Sequence, residues 1–317
     1  LFNYFIIKKM AIDLDDATLV ITANGYKAGT LYSLKPYDAT GDATVTRATI
    51  GTRVNSSNLI ETVANDVPRL DYTSVSCPVI LIEPQSTNLF EQSEDIADAY
   101  WTKTRGAITS DSTTSPIVSV LADKFIPTAE SGNHFIKKAL SSPSNDTYTF
   151  SGYFKDNGYD LAVRITGFSF LSRVEFQVDL SNGATINFIE SGTFTGSTKV
   201  TAFGDGWIKV DVMVNVPSGE TSLSTQIFAY NGAILFVADG VSGFYLTGIQ
   251  MEVQDNATSY IPTSGSTVTR NADVITVTGL TGTSTLTETF EDDTTNVIVD
   301  PTTYTMSEGR IKKVVRI

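Results

Sequence analysis

The chain lacks the residues on which most enzymatic and metal chemistry depends. It has one histidine, His134, and one cysteine, Cys77, in 317 residues. A single cysteine excludes an internal disulfide and any cysteine-rich zinc site, which needs several thiolates. Cys77 stands beside Pro78 at the mouth of an apolar run, where a buried small residue is expected. A lone histidine in Asn133-His134-Phe135 is expected to be structural, because a hydrolase triad needs histidine, serine and a carboxylate in register. No GxSxG, HExxH, Walker or GxGxxG motif occurs. Charge is also scarce: only 18% of residues are Asp, Glu, Lys or Arg, below the usual quarter. Its balance is acidic, 35 against 22, for a net −13, which disfavours nucleic acid and anionic membrane as partners. No apolar run reaches the roughly 18–20 residues of a membrane helix, so no membrane insertion is expected. The opening LFNYFIIKKM lacks a preceding basic region and a small-residue cleavage site, and Met10 reads as a start after an upstream extension.

What is present is β-structure. Hydrophobic residues make up 41% of the chain, enough for real cores, with Thr, Ser and Gly filling the places of charge. Such a length predicts two or three units. Val174, Phe176, Val178 and Leu180 alternate with Glu175, Gln177 and Asp179, the period of a strand with one face covered. Ile208, Val210, Val212, Val214 and Val216 form a second such face, ended by Pro217. Tyr148, Phe150 and Phe154 share a third, with Gly152 between them. Asn-Gly pairs at 157–158, 182–183 and 231–232 punctuate the series, and Asn24-Gly25 predicts a hairpin turn. PVILIE, residues 78–83, reads as a strand buried on both faces. Ser93 to Tyr100 is the one helix-like stretch, with Ser93 as its N-cap, and 102–115 reads as loop. The pattern predicts an all-β fold, an antiparallel β-sandwich with flanking N- and C-terminal β segments.

Gly243 to Asp273 organises the rest. Ile249, Met251 and Val253 point to one side, Phe244 and Leu246 lie on the opposite parity, and Gly248 sits where the phase breaks. A bulge at Gly248 would turn both apolar sets to one core. The strand ends in Asp255-Asn256, and Tyr260-Ile261-Pro262 closes the segment.

The run GFYLTGIQMEV…ATSYIPTSGSTVTRNAD resembles the closing signature of a jelly-roll module of bacteriophage virion structural proteins, themselves similar to carbohydrate-binding modules. Residues 44–96, from TVTRATIGTRV to EQSEDI, resemble its opening signature, and Asp205-Gly206-Trp207 before IKVDV a third, shorter element. The resemblance implies a jelly roll over 78–263, an N-terminal β segment or arm over 1–77 for virion attachment, and a small C-terminal β unit over 264–317. It implies a fibre, spike or decoration component of a virion, made in the host cytoplasm, with other capsid or tail proteins as partners. A homo-oligomer, a trimer first, and contact with host surface glycans are expected; no enzyme activity, metal or cofactor is. The alternatives are a phage-borne depolymerase using a carboxylate pair, with Glu83 and Glu252 as the acids beside the signature strands, and a free bacterial carbohydrate-binding protein.

Sugar rings stack on aromatic faces while polar side chains take their hydroxyls. Tyr153, Tyr159, Tyr230 and Tyr245, with Phe170, lie off the core parity or near turns and are the candidate glycan contacts. Candidate assembly residues are Phe2, Phe5 and Ile6 of the apolar opening and Arg310, Lys312 and Lys313 of the basic tail, for which Glu291-Asp292-Asp293 of the same or a neighbouring chain is the acidic complement. That acidic turn and Asp13-Asp15-Asp16 lack calcium-loop spacing and read as solvated.

Overall fold

A computed structural model describes residues 16–36, 41–73, 77–141, 143–281, 284–299 and 301–317. Phe2, Phe5 and Ile6, like Asp13 and Asp15, lie outside the described residues. The chain forms two compact units, one of residues 1–57, 61–85 and 271–317, the other of 58–60 and 86–270. No α-helix occurs among the described residues, and no helix there is long and apolar enough to cross a membrane.

The second unit is an antiparallel β-sandwich of the jelly-roll type. The strands of its two large sheets are β1 (Thr102–Thr104), β2 (Gly106–Thr114), β3 (Leu121–Pro127), β4 (Phe135–Ser141), β5 (Asp146–Asn157), β6 (Asp160–Thr166), β7 (Arg173–Val178), β8 (Thr185–Ser191), β9 (Thr195–Ala202), β10 (Trp207–Val216), β11 (Ser222–Tyr230) and β12 (Gly243–Glu252). One sheet runs β1-β4-β11-β6-β7-β8, the other β2-β3-β12-β5-β10-β9. The alternating apolar faces meet between them: Phe150, Phe154, Val163, Phe176, Val178, Val210, Val212, Ile227, Phe244, Leu246, Ile249 and Met251 share one buried cluster. Phe244 and Leu246 join Ile249 and Met251 because of a bulge. Ser151 of β5 faces Gln250, Tyr153 faces Thr247, and Gly248 takes up the extra residue at φ +61°. At Gly152 an added Cβ would lie 2.7 Å from Ile249 Cδ1, so glycine is what lets β5 and its core neighbours close up.

Three local expectations are corrected. Ser93–Tyr100 is not a helix. Ser93 Oγ accepts from Thr263 N at 2.8 Å and bonds Tyr260 Oη at 2.6 Å, so it ties the closing segment instead of capping. The 102–115 stretch is not loop but β1 and β2, paired with β4 and β3. Glu175 and Gln177, expected on an open face, are buried like their apolar neighbours.

The first unit joins a strand near the start of the described residues to strands from the C-terminal part of the chain. Gly309–Arg316 pairs with Thr285–Phe290 on one side and with Leu19–Thr22 and Val79–Ile82 on the other. Val274–Val277 pairs with Thr44–Thr46. Leu19, Ile21, Ile80, Ile82, Ile275, Leu286, Ile311 and Val314 form its core. Strand Val79–Ile82 is buried at every position, as expected, but it belongs to this unit and not to the sandwich, whose contiguous part begins at Ser86 and runs to Arg270. The segments 1–77 and 264–317 are thus not separate units. Asn24-Gly25 makes a single 3₁₀ turn, because Leu19–Thr22 takes the C-terminal strand as its partner. Cys77 is exposed, not buried: the strand it precedes begins two residues later.

At the centre of this unit lies a buried ion group. Arg47 Nη1 donates to Asp273 Oδ1 at 2.7 Å, and Arg69 reaches the same carboxylate through Nε at 3.2 Å and through Nη2. Arg47 also donates to the carbonyls of Ala64 and Val67, and Arg69 to that of Thr52, so both guanidiniums are satisfied without water. Arg47 and Asp273 come from the two signature stretches, more than two hundred residues apart in the chain.

Candidate functional site

The expected glycan tyrosines do not assemble. Tyr153 packs edge-on against Phe203 and Tyr260, and Tyr159 lies in the sandwich core with its hydroxyl accepting from Asp239 N. Tyr230 is buried with Ala162 and Phe228 and donates to Gly232 O at 3.1 Å. Each lacks an open ring face for a sugar, because loops and neighbouring rings cover positions that strand parity places outside the core. Tyr245 is half-exposed on the other sheet, with Lys124 Nζ 6.0 Å from its ring centroid. Trp101 and Trp207 are buried, and His134 is buried with Nδ1 2.7 Å from Arg105 O and Nε2 3.3 Å from Phe236 O.

The carboxylates singled out by position are absorbed locally. Glu83 pairs with Arg69 at 2.8 Å. Glu252 accepts from Ser86 Oγ at 2.6 Å, Thr258 N at 3.0 Å and Thr258 Oγ1, and burial pushes its carboxyl up. In the first unit Glu291 and Asp293 take Arg310 and Lys312 as partners within the same chain, and Arg310 also reaches Asp71 at 2.6 Å. The basic strand is interior to its sheet rather than an edge, and Lys313 registers with Thr22 and Thr289 on its two sides. No cluster of three or more His, Cys, Asp or Glu side chains placed to hold a metal occurs among the described residues.

A different surface stands out: the outer face of the sheet β1-β4-β11-β6-β7-β8. Leu161, Val163 and Ile165 of β6 enter the core, so Ala162, Arg164 and Thr166 face outward. By the same alternation β11 presents Ser224, Gln226 and Phe228, β7 presents Arg173, Glu175 and Gln177, and β4 presents Phe135 and Lys137. Antiparallel register sets these side chains in rows. One row crosses Lys137, Gln226, Arg164, Glu175 and Ile189; the next crosses Ala139, Ser224, Thr166, Arg173 and Ser191. The middle of the face is recessed: Thr166, Ser224, Glu175 and Gln226 are buried, while Ala139 at the margin is exposed.

The first of these rows is internally paired. Arg164 Nε donates to Glu175 Oε2 at 2.6 Å, Gln177 Nε2 donates to Glu175 Oε1 at 2.6 Å, and the Arg164 guanidinium lies 5.0 Å over the Phe228 ring. The second row is not. Thr166 Oγ1, Ser224 Oγ and Arg173 Nε are buried atoms with no hydrogen-bond partner, and they sit at adjacent positions of one row. An unmade buried hydrogen bond costs about 1–3 kcal/mol, so the three together make this row the least satisfied part of the face.

Beside this row the β6–β7 loop rises. Phe168, Phe170 and Leu171 are 69%, 55% and 74% exposed, an apolar tip on an acidic, polar chain. Phe170 has φ +58°, a left-handed conformation that bulky residues adopt only when held. The hold comes from Glu220, whose carboxylate accepts from Phe168 N at 2.9 Å and would collide with any Cβ at Gly167. Lys137 Nζ lies 5.9 Å from the Phe170 ring centroid, which places that ring over the outer face. Polar hydrogen-bonding groups below an exposed aromatic ring are what a sugar requires. Of the candidate aromatics only Phe170 falls at this site; the rest of its sequence signal was the polar half of the very alternation used to find the core.

No family model matches the chain, and no curated protein does. Among solved structures it is similar to the CBM22-1 xylan-binding domain of Paenibacillus barcinonensis Xyn10C, at 15% identity and a TM-score of 0.31, over 53% of this chain and 93% of that one. It is also similar to the tandem CBM22-1–CBM22-2 domains of the same enzyme, at 13% identity and a TM-score of 0.31, over 73% of this chain and 83% of that one. Likenesses of that size leave the function to be read from the chain's own residues.

Proposed function

We propose that this protein is a glycan-binding structural component of a phage particle, its sandwich contacting host surface glycans through the outer face of β4, β11, β6 and β7. The observation that carries the binding role is the row Ser224–Thr166–Arg173, whose buried polar atoms have no partner, lying beside the exposed Phe168 and Phe170 rings. Thr and Ser hydroxyls can donate or accept, the guanidinium donates, and an aromatic ring offers its face to sugar C–H groups. Together they bind a sugar without any reaction, so the role is recognition and not cleavage.

The particle setting rests on the resemblance of residues 44–96 and 243–273 to virion modules. The first unit, which holds both signature ends, is the part expected to join other virion proteins, and a trimer is the expected assembly. Binding is tested on a host-glycan array with the full chain, Phe170→Ala and, as a control on the opposite sheet, Lys199→Ala. The expected result is a glycan signal lost in the first variant and kept in the second. Silence of the parent protein across the array would sink the binding role. Absence of the chain from purified particles would sink the setting.

A further inference from the structure

We infer that the outer face selects glycans that carry carboxylates, an inference resting on the glycan-binding reading above. The chain as a whole is strongly acidic, yet this face collects cations. Lys137, Arg164 and Arg173 project from three different strands, against two carboxylates on the same face, Glu175 and Asp160. Arg164 is the partner of Glu175, at 2.5 Å through Nη2. The other two have no carboxylate partner among the described residues: Lys137 has the Phe170 ring beside it, and Arg173 has a buried Nε with nothing to donate to. The nearby acids are engaged elsewhere. Glu220 accepts from the β6–β7 loop, and Asp160 accepts from Leu180 N at 3.2 Å.

The spacing fits a chain of sugars and not a single small anion. Lys137 and Arg173 lie on strands three places apart in the sheet, β4 and β7, and in adjacent rows. At about 4.8 Å between strands this is roughly 14 Å across the sheet. Between them lie the neutral Gln226, Ser224 and Thr166, suited to hydroxyls, and Arg164, whose charge is matched by Glu175. A guanidinium matches a planar carboxylate with two parallel donors, whereas an ammonium acts as a point charge. The arrangement is therefore one fork and one point charge with hydroxyl-binding groups between them, which corresponds to two carboxylates along a polyuronate chain whose every ring also carries hydroxyls.

The test uses the full chain with oligogalacturonides, oligoguluronides and oligomannuronides, each beside its carboxyl-reduced form, which keeps the linkage and loses the charge. Calorimetry is expected to show at least one uronide bound about tenfold tighter than its reduced form, with the advantage shrinking as salt rises. Arg173→Gln and Lys137→Met should each cost about tenfold for the uronide, and more for it than for the reduced form. Arg173→Lys should keep the salt dependence and lose part of the affinity, a pattern that general damage to the fold would not give. Equal affinity for acidic and reduced forms, or selective binding of sulfated glycans alone, would overturn the carboxylate inference and leave glycan binding standing. No binding of any sugar, here or on the array, would overturn both.

Discussion

Asp239 shows how much one side chain can organise. Its carboxylate accepts from Ser242 Oγ at 2.6 Å and from the backbone amides of Val241 and Ser242 at 2.8 Å each, fixing the turn that leads into β12. These donors, the Ser242 hydroxyl foremost, hold the carboxyl down at about 2. An unfolded aspartate titrates near pH ~3.9, so between there and about 2 the unfolded chain binds the extra proton. Stability from this group is present above the unfolded value and lost as pH falls through the folded one. Asp239→Asn is expected to be less stable than the parent at neutral pH, with the gap closing as the pH approaches 2, read from urea unfolding across that range. A gap independent of pH would refute the assignment. The same scale explains the tyrosines. Parity alone put Tyr153 and Tyr230 off the core, but a ring's exposure depends on what lies over it, and Phe203, Tyr260 and the 231–234 turn were not foreseeable neighbours.

At the scale of elements, the bulge in β12 is the feature most fully legible in the sequence. Two apolar sets of opposite parity can face one core only if the strand carries an extra residue between them, and glycine stands at that break. Gly248 sits at φ +61°, and a Cβ there would lie 2.8 Å from Tyr153 Cδ2 and 3.1 Å from Ile117 Cδ1. Gly248→Ala is expected to cost about 2 kcal/mol, from left-handed backbone strain and displacement of the Tyr153 ring, measured by chemical denaturation. An unchanged midpoint would mean that the bulge tolerates an ordinary residue. The helix expected at Ser93–Tyr100 failed for a physical reason: Ser, Asp and Glu favour caps only when no stronger partner competes. Here Ser93 serves Tyr260 and Thr263, and Asp123 takes the amide of Ile96 at 2.9 Å.

On the scale of the whole molecule, the sandwich is contiguous from 86 to 270 and has its own core. The fragment 86–270 is expected to fold alone, giving a β-type circular dichroism spectrum, a cooperative thermal transition and the glycan binding of the full chain. A fragment that is unfolded would show that residues outside it complete the core. The other unit cannot be cut in the same way. Gly309–Arg316 is interior to its sheet and pairs with Leu19–Thr22, Val79–Ile82 and Thr285–Phe290, so removing 309–317 takes away structure of the unit itself.

The alternation of apolar residues, the Asn-Gly turns and the bulge glycine were sufficient to set the fold class, the main strands and the core of the sandwich. Those signals are local: period 2 names the two sides of a strand, and a turn residue acts through its own backbone. Which polar side would be recessed, which aromatic would be covered, and that Arg47 would meet Asp273 depended on pairing between distant segments. A strand's sequence says that it has a second face and leaves open what that face will meet. Only when β11, β6 and β7 lie side by side do Ser224, Thr166 and Arg173 become one row, and only then does the polar half of the pattern become a site.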